Sequence, residues 1–256
     1  LPPSNYEHQN NATLVSMKEE LQQDVYTILE QGVSVLKFTG GEPLVQREVL
    51  DILHYIVDRG YARDIRLQLT TNATKFSNRF MELFEEFNKV HLNISVDGTG
   101  TTYEYIRYPY RWDNFNDRIR LLESVTRGKY DISYDFTCVP QLFNIENLGR
   151  LQRRLGANKL YMNNILHPDD NYNSLKMVPE HILETALKDI EYCTGSNILI
   201  NSIKSLLANY SPPTVAQLKI MVKSIQVLDL HRKQHYKDYL EPHTRDFITE
   251  SIRKVS

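Results

Sequence analysis

The sequence predicts an α/β protein whose parallel sheet is followed by helices alone. Between residues 33 and 165, short apolar segments typical of buried strands alternate with segments of helical periodicity. Parallel strands need a crossover connection, and a helix usually supplies it while covering one face of the sheet. From residue 167 onward only helical periodicity continues, so we expect a helical C-terminal extension. This change predicts two parts, residues 1–165 and residues 166–256.

The individual elements follow from hydrophobic spacing and from the residues that stop helices. Apolar residues at helical spacing from Leu14 to Gln31 predict a first helix, which Gly32 ends. The predicted strands span residues 33–38, 65–70, 90–96, 130–139 and 159–165. The helices between them span residues 46–58, 77–88, 112–127 and 145–155. The helices of the extension are predicted at residues 180–192, 197–209, 214–239 and 245–254.

Composition and charge exclude several classes of protein. The chain is 41% hydrophobic and 24% charged, with 10 glycines and 10 prolines, which excludes collagen-like and wholly disordered chains. The formal net charge of -2 provides no basic field for duplex nucleic acid. No apolar run approaches the roughly 18 residues that span a bilayer. Two cysteines are too few for a disulfide framework, so we expect a cytoplasmic protein. From the charge and the lack of a long apolar run, we expect it to bind neither membrane nor duplex nucleic acid.

The loops after the predicted strands carry the candidate site, because ligands bind at the carboxyl ends of parallel strands. Gly40 and Gly41 let a ligand approach the backbone, and Pro43 fixes the chain so that Glu42 is presented at one point. A glutamate beside a backbone carbonyl suits a ligand ammonium group and repels a phosphate. We therefore interpret this segment as a binding turn, with a plain strand-to-helix connection as the alternative.

Further polar residues end the next two predicted strands. Asn72 offers both a donor and an acceptor, and Ser95 and Asp97, two residues apart, point to the same face of their strand. Together these groups could hold ribose hydroxyls and an amino-acid carboxylate. Each residue alone is also a common helix cap or turn residue, so the prediction depends on their joint position.

These motifs resemble those of the radical S-adenosylmethionine superfamily. The matching segments, in chain order, are Phe38-Thr39-Gly40-Gly41-Glu42-Pro43-Leu44, Thr70-Thr71-Asn72, Ile94-Ser95-Val96-Asp97-Gly98 and Asn144. The resemblance covers about residues 1–165, and the most similar members carry a C-terminal extension of the SPASM or twitch type. It implies a partial (β/α)6 TIM-like barrel whose first strand is missing or truncated here.

The resemblance also implies cofactors and the residues that bind them. In the family, S-adenosylmethionine chelates the open iron of a [4Fe-4S] cluster, and one-electron reduction yields a 5'-deoxyadenosyl radical. By analogy, the cofactor-binding residues are Thr39, Gly40, Gly41, Glu42, Pro43, Thr71, Asn72, Ser95, Asp97, Arg107 and Asn144. The implied protein is an iron-sulfur oxidoreductase that modifies a peptide or small molecule and receives electrons from a reductant such as a flavodoxin or ferredoxin.

The cysteine loop that holds the cluster in this family, Cys-x3-Cys-x2-Cys, does not occur in the sequence. Cys138 and Cys193 lie far apart, and we expect both to be buried apolar thiols. We therefore expect the cluster ligands to lie outside this chain, and the chain to be an inactive fragment of a longer protein. A non-catalytic barrel that binds a ligand or partner is the alternative. A cluster-free barrel enzyme would need a catalytic base or a Schiff-base lysine at a strand end, and no such lysine is evident.

Three other segments have more than one interpretation. Residues 103–112 interleave aromatic residues with arginines, which predicts a packed lid over the barrel mouth, with substrate contact or base stacking as alternatives. His231 and His235, four apart on a predicted helix, could share a metal, but the neighbouring cations favour a solvated face. Residues 167–170 predict a turn after the last strand.

Overall fold

A computed structural model describes residues 23–127, 131–156, 159–162, 172–192 and 197–255. The strands in these ranges are β1 (Val35–Phe38), β2 (Arg66–Thr71), β3 (Lys89–Ser95), β4 (Ile132–Cys138) and β5 (Leu160–Met162). They form one parallel sheet in the order β1-β2-β3-β4-β5. The predicted α/β class with a parallel sheet is therefore confirmed.

The helices connect the strands, and in the described residues after β5 the regular elements are helical. The helices are α1 (residues 23–30), α2 (Arg47–Asp58), α3 (Asn78–Phe84), α4 (Gly100–Ile106), α5 (Trp112–Thr126), α6 (Leu148–Leu155), α7 (Glu180–Tyr192), α8 (Asn197–Ala208), α9 (Val215–Arg232), α10 (Tyr236–Tyr239) and α11 (Pro242–Val255). Within the described ranges, none of them combines the length and apolar character that a membrane crossing requires.

The first compact unit consists of the chain up to Leu92 together with Ser124–Ser133. In it, β1 pairs with β2 in parallel, with Val35 beside Arg66. The helix α2 is strongly amphipathic and covers the core with one face. Its buried residues repeat at helical spacing: Val49, Ile52, Leu53 and Ile56. This spacing explains why α2 could be predicted within one residue of its observed start.

The second compact unit consists of Asn93–Glu123 and Tyr134–Ser256. In it, β4 pairs with β5 in parallel, with Phe136 beside Leu160. The helix α7 packs against α6 and α8, and α9 packs against α11. The apolar core of these helices includes Ile182, Leu183, Ile190, Leu199, Ile203, Leu218, Met221, Ile225 and Ile248. The helices described after β5 agree with the helical periodicity that the sequence shows from residue 167 onward.

One helix of the second unit was not predicted. The helix α4 lies within the segment interpreted as a loop and a lid, because its glycine, threonines and tyrosines are weak helix formers. Tertiary packing overrides that weakness, since the Tyr103 ring contacts the rings of Trp112 and Phe115. Tyr103 and Tyr105 are fully buried, so this part of the predicted lid is core. The exposed aromatic rings of the segment are those of Tyr108 and Tyr110.

The long helix predicted over residues 214–239 is in fact two helices. The helix α9 ends at Arg232, because Lys233 adopts a left-handed backbone conformation with φ of 51°. His235 precedes α10, and its ring Nδ1 accepts a hydrogen bond from the Lys237 backbone N–H. His231 and His235 therefore do not share a helix, and the geometry expected for a metal held by both is not found.

Candidate functional site

The Gly-Gly-Glu-Pro turn of the first unit follows β1 directly. Gly40 and Gly41 have φ angles of 85° and 56°, in the left-handed region that favours glycine. The space where a side chain would begin at Gly40 is open, so a ligand can reach the backbone there. Thr39 is exposed beside the two glycines. Pro43 is buried and opens a short 3₁₀ turn, which fixes the direction in which the chain leaves the site.

The Glu42 carboxylate joins this turn to the loop after β2. Its Oε1 accepts hydrogen bonds from the Thr71 hydroxyl at 2.5 Å and from the Leu44 backbone N–H at 3.3 Å. Its Oε2 accepts a hydrogen bond from the Asn72 backbone N–H at 2.6 Å. A carboxylate has about four lone-pair directions, so Glu42 retains acceptor capacity for one more donor, such as a ligand amine. The Glu42 carboxylate thus links the turn to the loop after β2 and leaves one hydrogen-bond acceptor position for a ligand.

The loop after β2 is shaped by its own side chains. The Thr71 hydroxyl accepts a hydrogen bond from the Ala73 backbone N–H at 2.9 Å, and Asn72 Oδ1 accepts one from the Thr74 backbone N–H at 2.9 Å. Ala73 has a left-handed backbone, with φ of 56°. Asn72 therefore forms the turn that its residue type favours. The structure brings Glu42, Thr71 and Asn72 together.

In the second unit, Asp97 follows β3 and is almost fully buried. Its Oδ2 pairs with the Arg107 guanidinium at 2.6 Å, and its Oδ1 accepts a hydrogen bond from the Val139 backbone N–H at 3.0 Å. The pair thus ties the end of β3 to the residue after α4 and to the end of β4. Ser95 lies at the end of β3 and is half-buried.

Asn144 is fully buried, and both polar atoms of its side chain form hydrogen bonds with backbone groups. Its Nδ2 donates to the carbonyls of Val139 at 2.9 Å and Asp97 at 3.2 Å, and its Oδ1 accepts from the Gln141 N–H at 2.8 Å. The structure therefore brings Asn144 beside Asp97 and Arg107, as a residue that positions the loops.

The sequence carries no sign of the roles of two further residues in this region, the half-buried Glu146 and the buried Asn147. Asn147 is fully buried; its Oδ1 accepts hydrogen bonds from the backbone N–H and hydroxyl of Thr99, and its Nδ2 donates to Glu241 at 2.7 Å. Glu146 accepts hydrogen bonds from the backbone N–H of Thr244 at 2.7 Å and its hydroxyl at 2.6 Å. Their partners lie 48 to 98 positions away in sequence, so no local signal could reveal these roles.

The described residues suit an amine-bearing cofactor but not an iron-sulfur cluster. Acceptors at the Glu42 turn match the donors of an amino group, and the open backbone at Gly40 leaves room for it. A cluster needs several exposed thiolates. Burial raises the pKa of the Cys138 thiol well above its ordinary value, and the described ranges contain no group of three metal-ligating side chains. Cys193 and residues 167–170 lie outside the described residues.

Comparison with protein families gives a match to the model of the radical SAM superfamily over residues 6–155. This chain belongs to the radical SAM superfamily. The matched region contains the Gly-Gly-Glu-Pro turn, the loop after β2, Asp97 and Asn144. Members of the family are enzymes that use S-adenosylmethionine and a [4Fe-4S] cluster.

Among curated proteins, the chain is similar to bacterial proteins named GTP 3',8-cyclase. It is 34% identical over 97 residues to the protein from Campylobacter lari, which is 38% of this chain and 29% of the relative. It is 35% identical over 79 residues to the protein from Sulfurimonas denitrificans, which is 31% of this chain and 24% of the relative. It is 31% identical over 98 residues to the protein from Rhizobium etli, which is 38% of this chain and 27% of the relative. The chain thus matches less than a third of the length of these relatives.

Proposed function

We propose that the protein to which this chain belongs is a radical SAM enzyme that modifies a small molecule, with cluster ligands supplied from outside these residues. When bound, the reduced cluster and S-adenosylmethionine together supply a 5'-deoxyadenosyl radical. The observation that carries the proposal is the Glu42 turn, where left-handed glycines, an open backbone and a fixed carboxylate occur together. We expect an exogenous reductant, such as a flavodoxin or ferredoxin, as a partner, and a cytoplasmic location.

We assign distinct roles to the candidate residues. In the first unit, Thr39, Gly40, Gly41, Glu42 and Pro43 would receive the amino group of the cofactor. Thr71 would hold the Glu42 carboxylate in place through its 2.5 Å hydrogen bond, and Asn72 would offer its side-chain amide. The support for these roles is the acceptor capacity that Glu42 retains beyond its three protein donors.

In the second unit, Ser95 and Asp97 would contact the ribose and the carboxylate of the cofactor. Arg107 and Asn144 are positioning residues in this proposal. Arg107 neutralises Asp97 at 2.6 Å, and every polar side-chain atom of Asn144 already has a backbone partner. We also propose that residues 1–165 form a partial (β/α)6 barrel and that residues 166–256 form its C-terminal extension.

GTP is the first substrate to test, because three relatives with 31–35% identity carry it in their names. A peptide is the second. The alternative function is a non-catalytic barrel that binds S-adenosylmethionine or a partner without cleaving the cofactor. The two functions differ in whether the cofactor is cleaved.

The test uses the full-length natural protein, reconstituted anaerobically with iron and sulfide and then reduced. We expect a [4Fe-4S] absorption band and the release of 5'-deoxyadenosine from S-adenosylmethionine. Glu42→Gln should reduce cofactor affinity at least tenfold, because it removes a charged acceptor. Glu82→Gln on the exposed face of α3 is the matched control and should leave the affinity for S-adenosylmethionine unchanged. Absence of both cluster and release would refute the enzyme proposal, and binding without release would establish the non-catalytic alternative.

A further inference from the structure

A small cavity of the second unit lies next to the loops around Asp97. Its volume is about 110 Å³, and most of its wall is aromatic or polar: Tyr105, Gln141, Phe143, Tyr172, Asn173 and Arg232. The Gln141 backbone N–H donates to Asn144 Oδ1, and Asn144 Nδ2 donates to the Asp97 carbonyl. A single side chain therefore connects a wall of the cavity to a proposed cofactor residue.

The size of the cavity suits one functional group rather than a whole ligand. Water occupies roughly 30 Å³ per molecule in the liquid, so the cavity has room for about four water molecules. Sites that enclose whole small molecules usually have volumes of about 300 Å³ or more. The Phe143 ring lies 5.4 Å from the Tyr105 ring and 6.1 Å from the Tyr172 ring, measured between centroids. These rings bound a space that can receive one end group of a larger ligand.

Arg232 brings a positive charge to the wall of the cavity. Its guanidinium donates to the Tyr105 carbonyl at 2.7 Å and lies over the Tyr108 ring, 5.6 Å from the centroid. In the part of the chain that the structure describes, no carboxylate forms an ion pair with it. The nearby Asp229 carboxylate instead accepts hydrogen bonds from the Tyr105 hydroxyl and the Tyr236 N–H. A guanidinium has five N–H donors, so Arg232 retains donors for a ligand.

Neutral polar groups accompany this charge. Gln141 Oε1 accepts a hydrogen bond from Asn173 Nδ2, and among the described residues neither Gln141 Nε2 nor the Tyr172 hydroxyl has a protein partner. Burial raises the pKa of Tyr172, so its hydroxyl keeps its proton near neutral pH and can donate it. Asn173 Oδ1 is buried and unpartnered, so it can accept. The cavity thus suits an anionic group that has a hydrogen-bond donor beside it.

Helix packing alone is a weaker explanation for Arg232. A neutral donor could bind the Tyr105 carbonyl, and an apolar side chain could cover the Tyr108 ring. A half-buried cation without a counterion is costly, because removal from water disfavours the charged form. The buried Asn173 Oδ1 is costly for the same reason. A ligand with an anion and a neighbouring donor would satisfy both groups at once.

We propose that Arg232, Gln141 and Tyr172 form a subsite that receives an oxyanion at one end of the substrate. This inference rests on the proposed function, whose substrate it describes further. Two sources supply such a group: the phosphate of a nucleotide and the terminal carboxylate of an amino acid or peptide. A guanidinium binds either one with paired hydrogen bonds.

The experiment measures equilibrium binding to the full-length protein, reconstituted anaerobically, with S-adenosylmethionine and without reductant. Two pairs of probes differ in the anionic group: GTP against guanosine, and N-acetyl-alanyl-alanine against its C-terminal amide. We expect the anionic member of one pair to bind at least about tenfold tighter, since hydrogen bonds to charged groups contribute a factor of that size. A preference for GTP identifies a phosphate, and a preference for the peptide acid identifies a carboxylate.

Variants connect the preference to the residues. Arg232→Gln keeps an N–H donor for the Tyr105 carbonyl but removes the charge, so it should reduce the preference to less than about twofold. Arg232→Lys keeps the charge without the paired donors and should retain part of the preference. Tyr172→Phe keeps the ring, loses the hydroxyl and should weaken binding of the preferred probe severalfold. Arg253→Gln, at an exposed position of α11, is the matched control and should leave the preference unchanged.

The outcomes separate this inference from the proposed function. Circular dichroism establishes whether Arg232→Gln is folded, and unchanged affinity in Tyr172→Phe decides against the subsite if it is not. No preference within either pair, or a preference that folded Arg232→Gln retains, would overturn the inference. Release of 5'-deoxyadenosine is measured separately under reductant. Its absence would count against the proposed function, whereas the binding measurements do not depend on cofactor cleavage.

Discussion

At the scale of single residues, two predicted site residues hold backbone groups of different loops in place through their side chains. Glu42 accepts three protein hydrogen bonds, two of them from the loop after β2. Asn144 uses its whole amide to hold Asp97, Val139 and Gln141 in place. Both residues therefore preorganise the loops that would surround the cofactor, because their side chains fix backbone groups from different parts of the sequence.

Asn144→Ala should lower the free energy of unfolding by at least about 3 kcal/mol. The substitution leaves two carbonyls and one N–H without their partner inside the protein, and each buried unpaired group costs about 1–3 kcal/mol. Urea unfolding followed by circular dichroism measures the change. Asn88→Ala, at an exposed position, is the control and should cost less than about 0.5 kcal/mol. Equal stability of the two variants would contradict this role for Asn144.

At the scale of elements, polar groups of α9 and α10 hold the unpredicted helix α4. The Tyr105 hydroxyl donates to Asp229 at 3.0 Å, and Arg232 donates to the Tyr105 carbonyl at 2.7 Å. The Thr101 hydroxyl donates to the Tyr239 carbonyl at 2.8 Å. Asp229 also accepts a hydrogen bond from the Tyr236 N–H at 3.0 Å, which begins α10. One carboxylate thus links three helices.

Asp229→Ala should destabilise the second unit by about 2–4 kcal/mol. It removes the acceptor of the buried Tyr105 hydroxyl and of the first N–H of α10. Hydrogen exchange should show faster exchange for the amides of α4 and α10 than in the native protein. Asp238→Ala, at an exposed position of α10, is the matched control. Unchanged protection of α4 in Asp229→Ala would contradict the proposed link.

At the scale of the whole molecule, buried tyrosines should make the free energy of unfolding fall as the pH rises into the alkaline range. Burial raises the pKa of Tyr103 to about 12. Burial and then the Asp229 carboxylate raise the pKa of Tyr105 further. An unfolded tyrosine titrates near pH 10, so the unfolded chain loses these protons first as the pH rises. The stability contributed by neutral Tyr103 is therefore complete below about pH 10 and is lost between about pH 10 and 12.

The free energy of unfolding should accordingly fall steeply above pH 10. Tyr103→Phe should make this fall shallower, because phenylalanine fills the same space and has no proton to lose. Urea unfolding at several pH values from 9 to 11 measures the slope. Tyr108→Phe, at an exposed ring, should leave the slope unchanged. A native slope that Tyr103→Phe does not alter would refute this origin of the pH dependence.

The sequence predicted what depends on local spacing, and missed what depends on distant partners. β2 and α2 follow from period-two and helical patterns of apolar residues, so their positions agree within about one residue. The helix α4 was missed, because its weak helix formers are stabilised by Trp112, Phe115 and Asp229. The break in the predicted helix 214–239 was missed as well, because Lys233 carries no turn signature in its residue type.

In the candidate site, too, the features that depend on local sequence were predictable and those that depend on distant partners were not. Glycines at left-handed positions and a glutamate between glycine and proline mark the Glu42 turn in the sequence itself. That Asn144 would be fully buried and bonded to the backbone was not predictable, since its partners include Asp97, 47 positions earlier. The cavity beside Arg232 was not predictable either, because it joins residues of α4, of the loop after β4 and of α9.

The dependence of Glu146 and Asn147 on the α11 region sets an order of events during protein synthesis. Their partners Thr244 and Glu241 lie 98 and 94 positions later in the chain. At about 5–20 residues per second, a ribosome needs on the order of 5–20 s to add them. Throughout that interval the Glu146 carboxylate and the Asn147 Nδ2 lack the partners that come later in the chain. A translational pause between the codons for Asn147 and Thr244 would prolong this state and with it the exposure of the growing chain to chaperones and proteases.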